Sequence, residues 1–247
     1  MTTMGIINLI IINAMIWVGL SYFWSFWTHK LFKPWGWLEL RKRKMVNAEV
    51  DKAERRCKDR VRFYAHFFAM QQVEQNETED AFVVAGVEAP LILRTLRNQC
   101  PNRALWALGP MEETTVTIVH ENCQGEVSEE QVKLDWVSEA EVQSIMPSTS
   151  DLNHVLNMPV PEALPQLTGP IALASIDLVD HDTLLATLRH IYPLLSPGAV
   201  LLVHSYDHSW PGVRKAVDTF SASIPEGFLE LPDMYGSVAL VRNRSKS

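Results

Sequence analysis

Residues 171–222, IALASIDLVDHDTLLATLRHIYPLLSPGAVLLVHSYDHSWPGVRKAVDTFSA, alternate between two kinds of hydrophobic pattern. Two short runs, 171–176 and 199–204, are almost entirely apolar, as the buried strands of a parallel sheet are. Each run precedes a segment with helical spacing of its apolar residues, at 182–195 and 211–223. This order of strand, helix, strand and helix predicts an α/β fold with a doubly wound, mainly parallel sheet.

The residues on either side continue this alternation. We predict strands at 81–85, 104–108 and 115–119, helices at 90–98 and 138–145, and a closing antiparallel pair at 228–231 and 237–241. Five prolines between Met146 and Pro170 predict a long irregular connection. Together these elements predict one domain over residues 80–247, which is long enough to bury a full core.

The turn and packing residues of this second half match a known family. They are Ile191-Tyr192-Pro193, Leu195-Ser196-Pro197-Gly198, Trp210, Gly212, Ala216-Val217 and Phe220. In these residues the chain resembles the macrocin-O-methyltransferase family, a metal-dependent branch of the class I methyltransferases that use S-adenosylmethionine. The resemblance implies a Rossmann-like sheet with a cofactor and a metal at the carboxyl ends of its strands.

The positions that would hold the cofactor depart from the family pattern. The family's first turn reads roughly E-x-G-V-x-x-G-G-S, and here Gly86 and Val87 match while Ala89-Pro90 stands in place of the Gly-Gly pair. Glycine lets backbone approach a nucleotide closely, whereas proline removes an amide donor. After the second strand the chain offers no carboxylate for a ribose. We therefore expect no cofactor, with Gly86 and Val87 as remnant positions.

The metal-ligating carboxylates are also replaced. A hard divalent cation such as Mg²⁺ prefers several oxygen ligands. The resemblance would place four carboxylates here, and only Asp177 matches, with Val179 at the second position and His204-Ser205 in place of an Asp-Asp pair. We expect no metal and no catalytic residue, and we interpret Asp177 as a remnant.

The spacing of the remaining serine, histidine and aspartate residues gives little support for a Ser-His-Asp site or a zinc site. His204, Ser205 and Asp207 suggest a Ser-His-Asp site, but no G-x-S-x-G turn is present. The histidines at positions 181, 190 and 208 lack the spacing of a zinc site. We interpret Asp182 and Thr183 as the cap of the helix that follows them.

The N-terminal residues predict a membrane anchor. Residues 5–27 contain no charged side chain, and these 23 residues of helix would span about 34 Å. Basic residues follow, so the positive-inside rule predicts that the C-terminal body lies on the cytoplasmic or matrix side. We predict a transmembrane anchor over residues 1–29. Four basic residues are candidates for contact with anionic lipid: Arg41, Lys42, Arg43 and Lys44.

A long basic amphipathic helix is predicted over residues 30–79, between anchor and body. No Gly or Pro occurs between Trp37 and Ala85, and apolar residues recur at positions 46, 50, 53, 57, 61, 64 and 68. This helix either folds back on its own domain or packs on another subunit. Residues 30–62 hold 12 Lys/Arg and 5 Asp/Glu, although the whole chain has a formal net charge of −7. The acidic body excludes nucleic acid as a partner.

Together these features predict a non-catalytic accessory subunit of a membrane complex, in which a degenerate methyltransferase-like domain serves for packing. They favour a mitochondrial energy-converting complex, an ATP synthase or a respiratory complex, in the mitochondrial inner membrane; a bacterial inner-membrane complex is equally compatible. Its partners would be other subunits and the lipid bilayer, and the chain would be a pseudoenzyme. The alternatives are a membrane-tethered, active S-adenosylmethionine-dependent O-methyltransferase and an assembly factor that binds its client transiently.

Overall fold

A mixed β-sheet forms the centre of the computed structural model, which describes residues 3–28, 60–86, 89–111, 114–121, 127–134, 138–206, 210–233 and 236–244. The strands are β1 (Ala81–Gly86), β2 (Leu105–Leu108), β3 (Thr114–Glu121), β4 (Val127–Leu134), β5 (Asn153–Leu156), β6 (Ile171–Asp177), β7 (Leu195–Val203), β8 (Leu229–Leu231) and β9 (Ser237–Val241). Seven of them form the sheet, in the order β5-β2-β1-β6-β7-β9-β8. The first five run parallel, and β9 and β8 close one edge as antiparallel strands.

Helices cover both faces of this sheet, and a further helix, α1 (Thr3–Thr28), comes before them in the chain. The covering helices are α2 (Arg60–Gln75), α3 (Ala89–Gln99), α4 (Glu139–Ile145), α5 (Val160–Ala163), α6 (His181–Ile191) and α7 (Pro211–Ser221), with 3-10 turns at Leu164–Gln166 and Tyr192–Leu194. One core cluster joins α2, α3 and α4 to the sheet, and a second joins α5, α6 and α7 to the opposite face. Side chains of a strand alternate between faces, so Phe82 lies in the first cluster and Val83 in the second. This arrangement confirms the predicted doubly wound α/β fold.

The structure differs from the sequence prediction at two strands. The predicted irregular connection at 146–170 contains β5, an edge strand whose four residues are all half-buried and include Asn153 and His154. Its short, half-polar run is too weak to signal a strand. The predicted strand at 115–119 lies in β3, which pairs with β4 in a separate hairpin rather than in the main sheet. The polar residues of β4 suit a hairpin better than a sheet covered on both faces.

The boundary between α6 and β7 also differs from the prediction. The helix predicted over 182–195 ends at Ile191 and tightens into the 3-10 turn at Tyr192–Leu194. Pro193 explains this change, because proline has no N–H to continue the α-helical pattern. Strand β7 then begins at Leu195, so Ser196, Pro197 and Gly198 lie inside the strand and not in a turn before it.

Helix α1 occupies the predicted anchor. It is 26 residues long, and large apolar side chains on it are exposed, including Ile10, Met15 and Trp17. Asn8 and Asn13 interrupt its apolar run. None of the helices in the described part of the chain is long and apolar enough to cross a membrane. The predicted transmembrane anchor over residues 1–29, and the single-pass placement in the mitochondrial inner membrane built on it, are therefore contradicted.

Helix α2 forms the end of the predicted linking helix and packs on its own sheet. Phe63, Phe67 and Met70 are buried in the cluster that contains β1, but Phe68, which belongs to the predicted apolar stripe, is 52% exposed. Where it is described, the helix therefore folds back on its own domain. The rest of the predicted helix, including Arg41, Lys42, Arg43 and Lys44, lies outside the described residues.

Two adjacent phenylalanines on α2 test this packing. We expect Phe67→Ala to lower the free energy of unfolding by about 3–5 kcal/mol, because it removes a fully buried ring from the core. The matched variant Phe68→Ala, at an exposed position, should cost less than about 1 kcal/mol. Urea unfolding followed by circular dichroism measures both. Equal losses in the two variants would contradict the packing described here.

Candidate functional site

Two glycines shape the carboxyl edge of the sheet. β1 ends at Gly86 with φ 105°, and Gly109, directly after β2, has φ 136°. Both values lie in a region that only glycine adopts readily. A Cβ on Gly86 would lie 1.9 Å from the carbonyl oxygen of Asp177, its register partner at the end of β6. Glycine at position 86 is therefore required by close approach as well as by backbone conformation.

A buried ion pair lies beside these glycines. Nη2 of Arg62, in the first turn of α2, donates to Oδ2 of Asp177 over 2.6 Å. The hydroxyl of Ser205 donates to Oδ1 of the same carboxylate over 3.1 Å. Arg62 is 4% exposed and Asp177 is 7% exposed, so water screens this pair little. Ser205 reaches the carboxylate from a left-handed backbone conformation, φ 65°, which is uncommon for a residue other than glycine.

A chain of buried hydrogen bonds continues from the ion pair into the core. Nδ1 of His66 lies 2.9 Å from the carbonyl oxygen of Arg62, and its Nε2 lies 2.9 Å from the hydroxyl of Ser175. That hydroxyl lies 3.0 Å from Nε2 of His204, whose Nδ1 lies 2.8 Å from the hydroxyl of Ser237. The two imidazole rings stack with centroids 5.2 Å apart. Four side chains from α2, β6, β9 and the end of β7 are thereby joined through the core.

The carbonyl at one end of this chain determines the tautomer of His66. A carbonyl can only accept, so Nδ1 of His66 donates to Arg62 and Nε2 accepts from Ser175. The hydroxyl of Ser237 donates to Oδ2 of Asp233, so neither serine has a proton left for His204, and a neutral His204 donates to one of these two hydroxyl oxygens. Desolvation by burial lowers the pKa of His66 to about 3, and burial also lowers the pKa of His204. Both rings are neutral in the fold at ordinary pH.

The donor set does not fit the metal that the resemblance implies. Both oxygens of Asp177 accept hydrogen bonds, from Arg62 and from Ser205, and both ring nitrogens of His204 are also engaged. Across the described residues, no group of three His, Cys, Asp or Glu side chains could hold a metal ion. Asp180 caps α6 by accepting from the backbone N–H of Thr183 over 2.8 Å. We had predicted that Asp182 and Thr183 cap this helix. The structure shows instead that the side chain of Asp180 is the cap.

Sequence reasoning overlooked most residues of this cluster. It named Gly86, Asp177, His204 and Ser205, which the structure brings together, and it named Val87, Asp207 and His208, which lie outside the described residues. It did not name Arg62, His66, Ser175 or Ser237, all of which are buried. The available signal was the placement of Arg62 and His66 four residues apart beside Phe63 and Phe67, which puts two polar groups on a core-facing helix surface.

The buried histidines predict a loss of stability in acid. Between pH 6.5, the ordinary histidine pKa, and about 3, the unfolded chain binds more protons at His66 than the folded chain does. The free energy of unfolding should therefore fall by about 1.4 kcal/mol for each pH unit below 6.5 for each such histidine. Urea unfolding at a series of pH values measures this slope.

Two variants separate this effect from general acid sensitivity. His66→Gln removes one titrating ring, so the stability of that variant should fall less steeply between pH 6 and pH 4 than that of the unmodified chain. Phe68→Ala, which changes no titrating group, should leave the slope unchanged. A His66→Gln slope equal to that of the unmodified chain would contradict the neutral assignment.

Comparison with known proteins identifies the fold. No family model and no curated protein matches the chain. Among solved structures, the O-methyltransferase NovP is 19% identical, with a TM-score of 0.56 over 75% of this chain and 81% of NovP. The calicheamicin methyltransferase CalS11 is 20% identical, with a TM-score of 0.51 over 72% of this chain and 77% of its own. A Corynebacterium glutamicum protein is 14% identical, with a TM-score of 0.51 over 85% and 97%.

These findings correct the functional prediction. NovP and CalS11 are named as methyltransferases, and this likeness contradicts the predicted non-catalytic subunit of a mitochondrial ATP synthase or respiratory complex. The prediction of a pseudoenzyme is wrong on the same finding. The predicted absence of a site depended on a mismatch with one metal-dependent motif, and such a mismatch does not test a site built from other residues, such as Arg62. The chain has the fold of the class I S-adenosylmethionine-dependent methyltransferases.

Proposed function

We propose that this chain is an S-adenosylmethionine-dependent methyltransferase that binds its cofactor at the carboxyl ends of β1 and β2. The observation that carries the proposal is the pair of glycines with positive φ, Gly86 and Gly109, at the ends of these neighbouring strands. Parallel α/β sheets bind their ligands at this edge, and glycine lets the backbone approach a nucleotide closely.

The residues present fit such a ligand through backbone groups. α3 begins at Ala89, three residues after Gly86, so the positive end of its helix dipole lies beside the first turn. Pro90 removes an amide in the first helical turn, where amides have no partner within the helix. Beyond β2, Gly109 and Pro110 stand where the resemblance would place a carboxylate. The ribose would therefore be held by backbone groups.

The chain's own residues order the floor of this site. Bound there, S-adenosylmethionine would supply an electrophilic methyl group to a nucleophilic atom of a second substrate. Asp177 accepts hydrogen bonds from Arg62 and Ser205, and these hold the end of β6 in place. Arg62 and Asp177 are both buried, so little water reaches this ion pair.

We propose a hydroxyl group of a small molecule as the methyl acceptor. Support comes from two structures with this fold, since NovP is described as an O-methyltransferase and CalS11 as a TDP-rhamnose 3′-O-methyltransferase. A hydroxyl acceptor loses its proton as the methyl group is transferred. That proton would pass to solvent water.

Calorimetric titration with S-adenosylmethionine tests the proposal directly. We expect the full chain to bind it with a dissociation constant in the micromolar range, which corresponds to a favourable binding free energy of about 8 kcal/mol. A hundredfold excess of ligand over this constant should raise the free energy of unfolding by about 2.7 kcal/mol, which thermal unfolding detects independently. Absence of binding at millimolar cofactor in both measurements would overturn the proposal.

Two glycine variants locate the binding site. Gly86→Ala should weaken cofactor binding at least tenfold, because its Cβ meets the backbone of Asp177 at the cofactor edge. Gly169→Ala is the matched control, since Gly169 also has positive φ, 86°, but nothing lies within 4 Å of an added Cβ. Circular dichroism shows whether each variant is folded. Unchanged affinity in folded Gly86→Ala would place the cofactor elsewhere.

A further inference from the structure

We infer that the guanidinium of Arg62 is a built-in replacement for a divalent cation at Asp177, so that this site works without metal. Arg62 lies 2.6 Å from Oδ2 of Asp177 and supplies a positive charge where the resemblance places a metal ion. The guanidinium is permanently charged and cannot be titrated away within a protein. The carboxylate is therefore neutralised by the chain itself.

Both oxygens of Asp177 already accept from a buried donor. Oδ2 accepts from Arg62, and Oδ1 accepts from the hydroxyl of Ser205. A divalent cation on the remaining lone pairs of this carboxylate would lie close to the guanidinium charge, or would have to displace the guanidinium and leave it buried without its acceptor. Removing one partner of a buried ion pair is strongly unfavourable, because the remaining charge stays in a poorly solvated site.

The packing of α2 also holds the guanidinium of Arg62 beside Asp177. Arg62 belongs to α2 and is 4% exposed, and the helix is anchored by the fully buried Phe63 and Phe67. Its side chain cannot move into solvent unless this end of the helix moves as well. Helix α2 is therefore a component of the site and not only a cover for the sheet.

The described residues near Asp177 offer no alternative coordination. Val179 has no ligand atom in its side chain, and Asp180 is used as the N-cap of α6. His204 uses one ring nitrogen toward Ser175 and the other toward Ser237. Mg²⁺ and Mn²⁺ favour sites with several oxygen donors, and the residues described around Asp177 do not provide them. The inference holds whether or not the chain binds S-adenosylmethionine.

Titration of the full chain with Mn²⁺, followed by electron paramagnetic resonance of the free ion, tests this inference. We expect no saturable site that depends on Asp177 up to about 1 mM, the weak end of protein sites for such cations. Asp177→Asn should therefore leave the Mn²⁺ titration unchanged, as should Asp180→Asn, the control for weak surface binding. A saturable site in the unmodified chain that Asp177→Asn removes and Asp180→Asn retains would overturn the inference.

A double-variant cycle tests the ion pair without any metal. Arg62→Gln leaves the buried carboxylate without its counter-charge and should raise the equilibrium constant for unfolding by at least tenfold. In the double variant Arg62→Gln/Asp177→Asn, the equilibrium constant for unfolding should be at least tenfold lower than the product of the two single fold-changes predicts, because the uncompensated charge is removed. Additive effects would overturn the inference. If Arg62→Gln does not fold, refolding in the double variant counts as the expected recovery, and failure of both counts against it.

Discussion

The ion pair between Arg62 and Asp177 is the interaction on which the arrangement of this site depends. It joins the first turn of α2 to the last residue of β6, 115 positions later in the chain. Both groups are buried, so each needs the other to offset the cost of leaving water. Because Gly86 approaches the backbone of Asp177 so closely, the same residue also determines how β1 leaves the sheet. Helix, strand end and first turn are thus linked at one carboxylate.

The polar chain behind this pair extends the link across the sheet. His66, Ser175 and His204 connect α2 to β6 and to the end of β7, and Ser237 continues the chain to β9. Neutral His66 suits this role, because its ring donates through one nitrogen and accepts through the other. Buried polar contacts of this kind favour one arrangement of the packed elements, whereas an apolar core alone would tolerate several. The carboxyl edge of the sheet is therefore supported by buried groups that cannot readily rearrange.

Sequence patterns predicted the fold well where local signals were strong. β6, α6, β7 and α7 follow from apolar runs and helical spacing within residues 171–222, and each was found within a few residues of its predicted bounds. β5 was not predicted, because it has only four residues and two of them are polar. Such a short segment shows almost no alternation of apolar and polar residues. The helical stripe drawn through Phe68 was displaced, since the buried surface of α2 runs through Phe63, Phe67 and Val73. A stripe shows that a helix has an apolar side, but its neighbours decide which residues are covered.

The sequence alone determined the α/β class, the doubly wound sheet and the position of Asp177 at a strand end, because hydrophobic periodicity and turn residues are local properties. Only the tertiary structure decided what Asp177 contacts, since Arg62 is more than a hundred residues away and no local pattern connects them. The sequence motif shows which carboxylates are missing, but it does not show that the guanidinium of Arg62, on another helix, contacts Asp177. The functional reading went wrong at this point, because a site assembled from distant elements is a property of the folded chain.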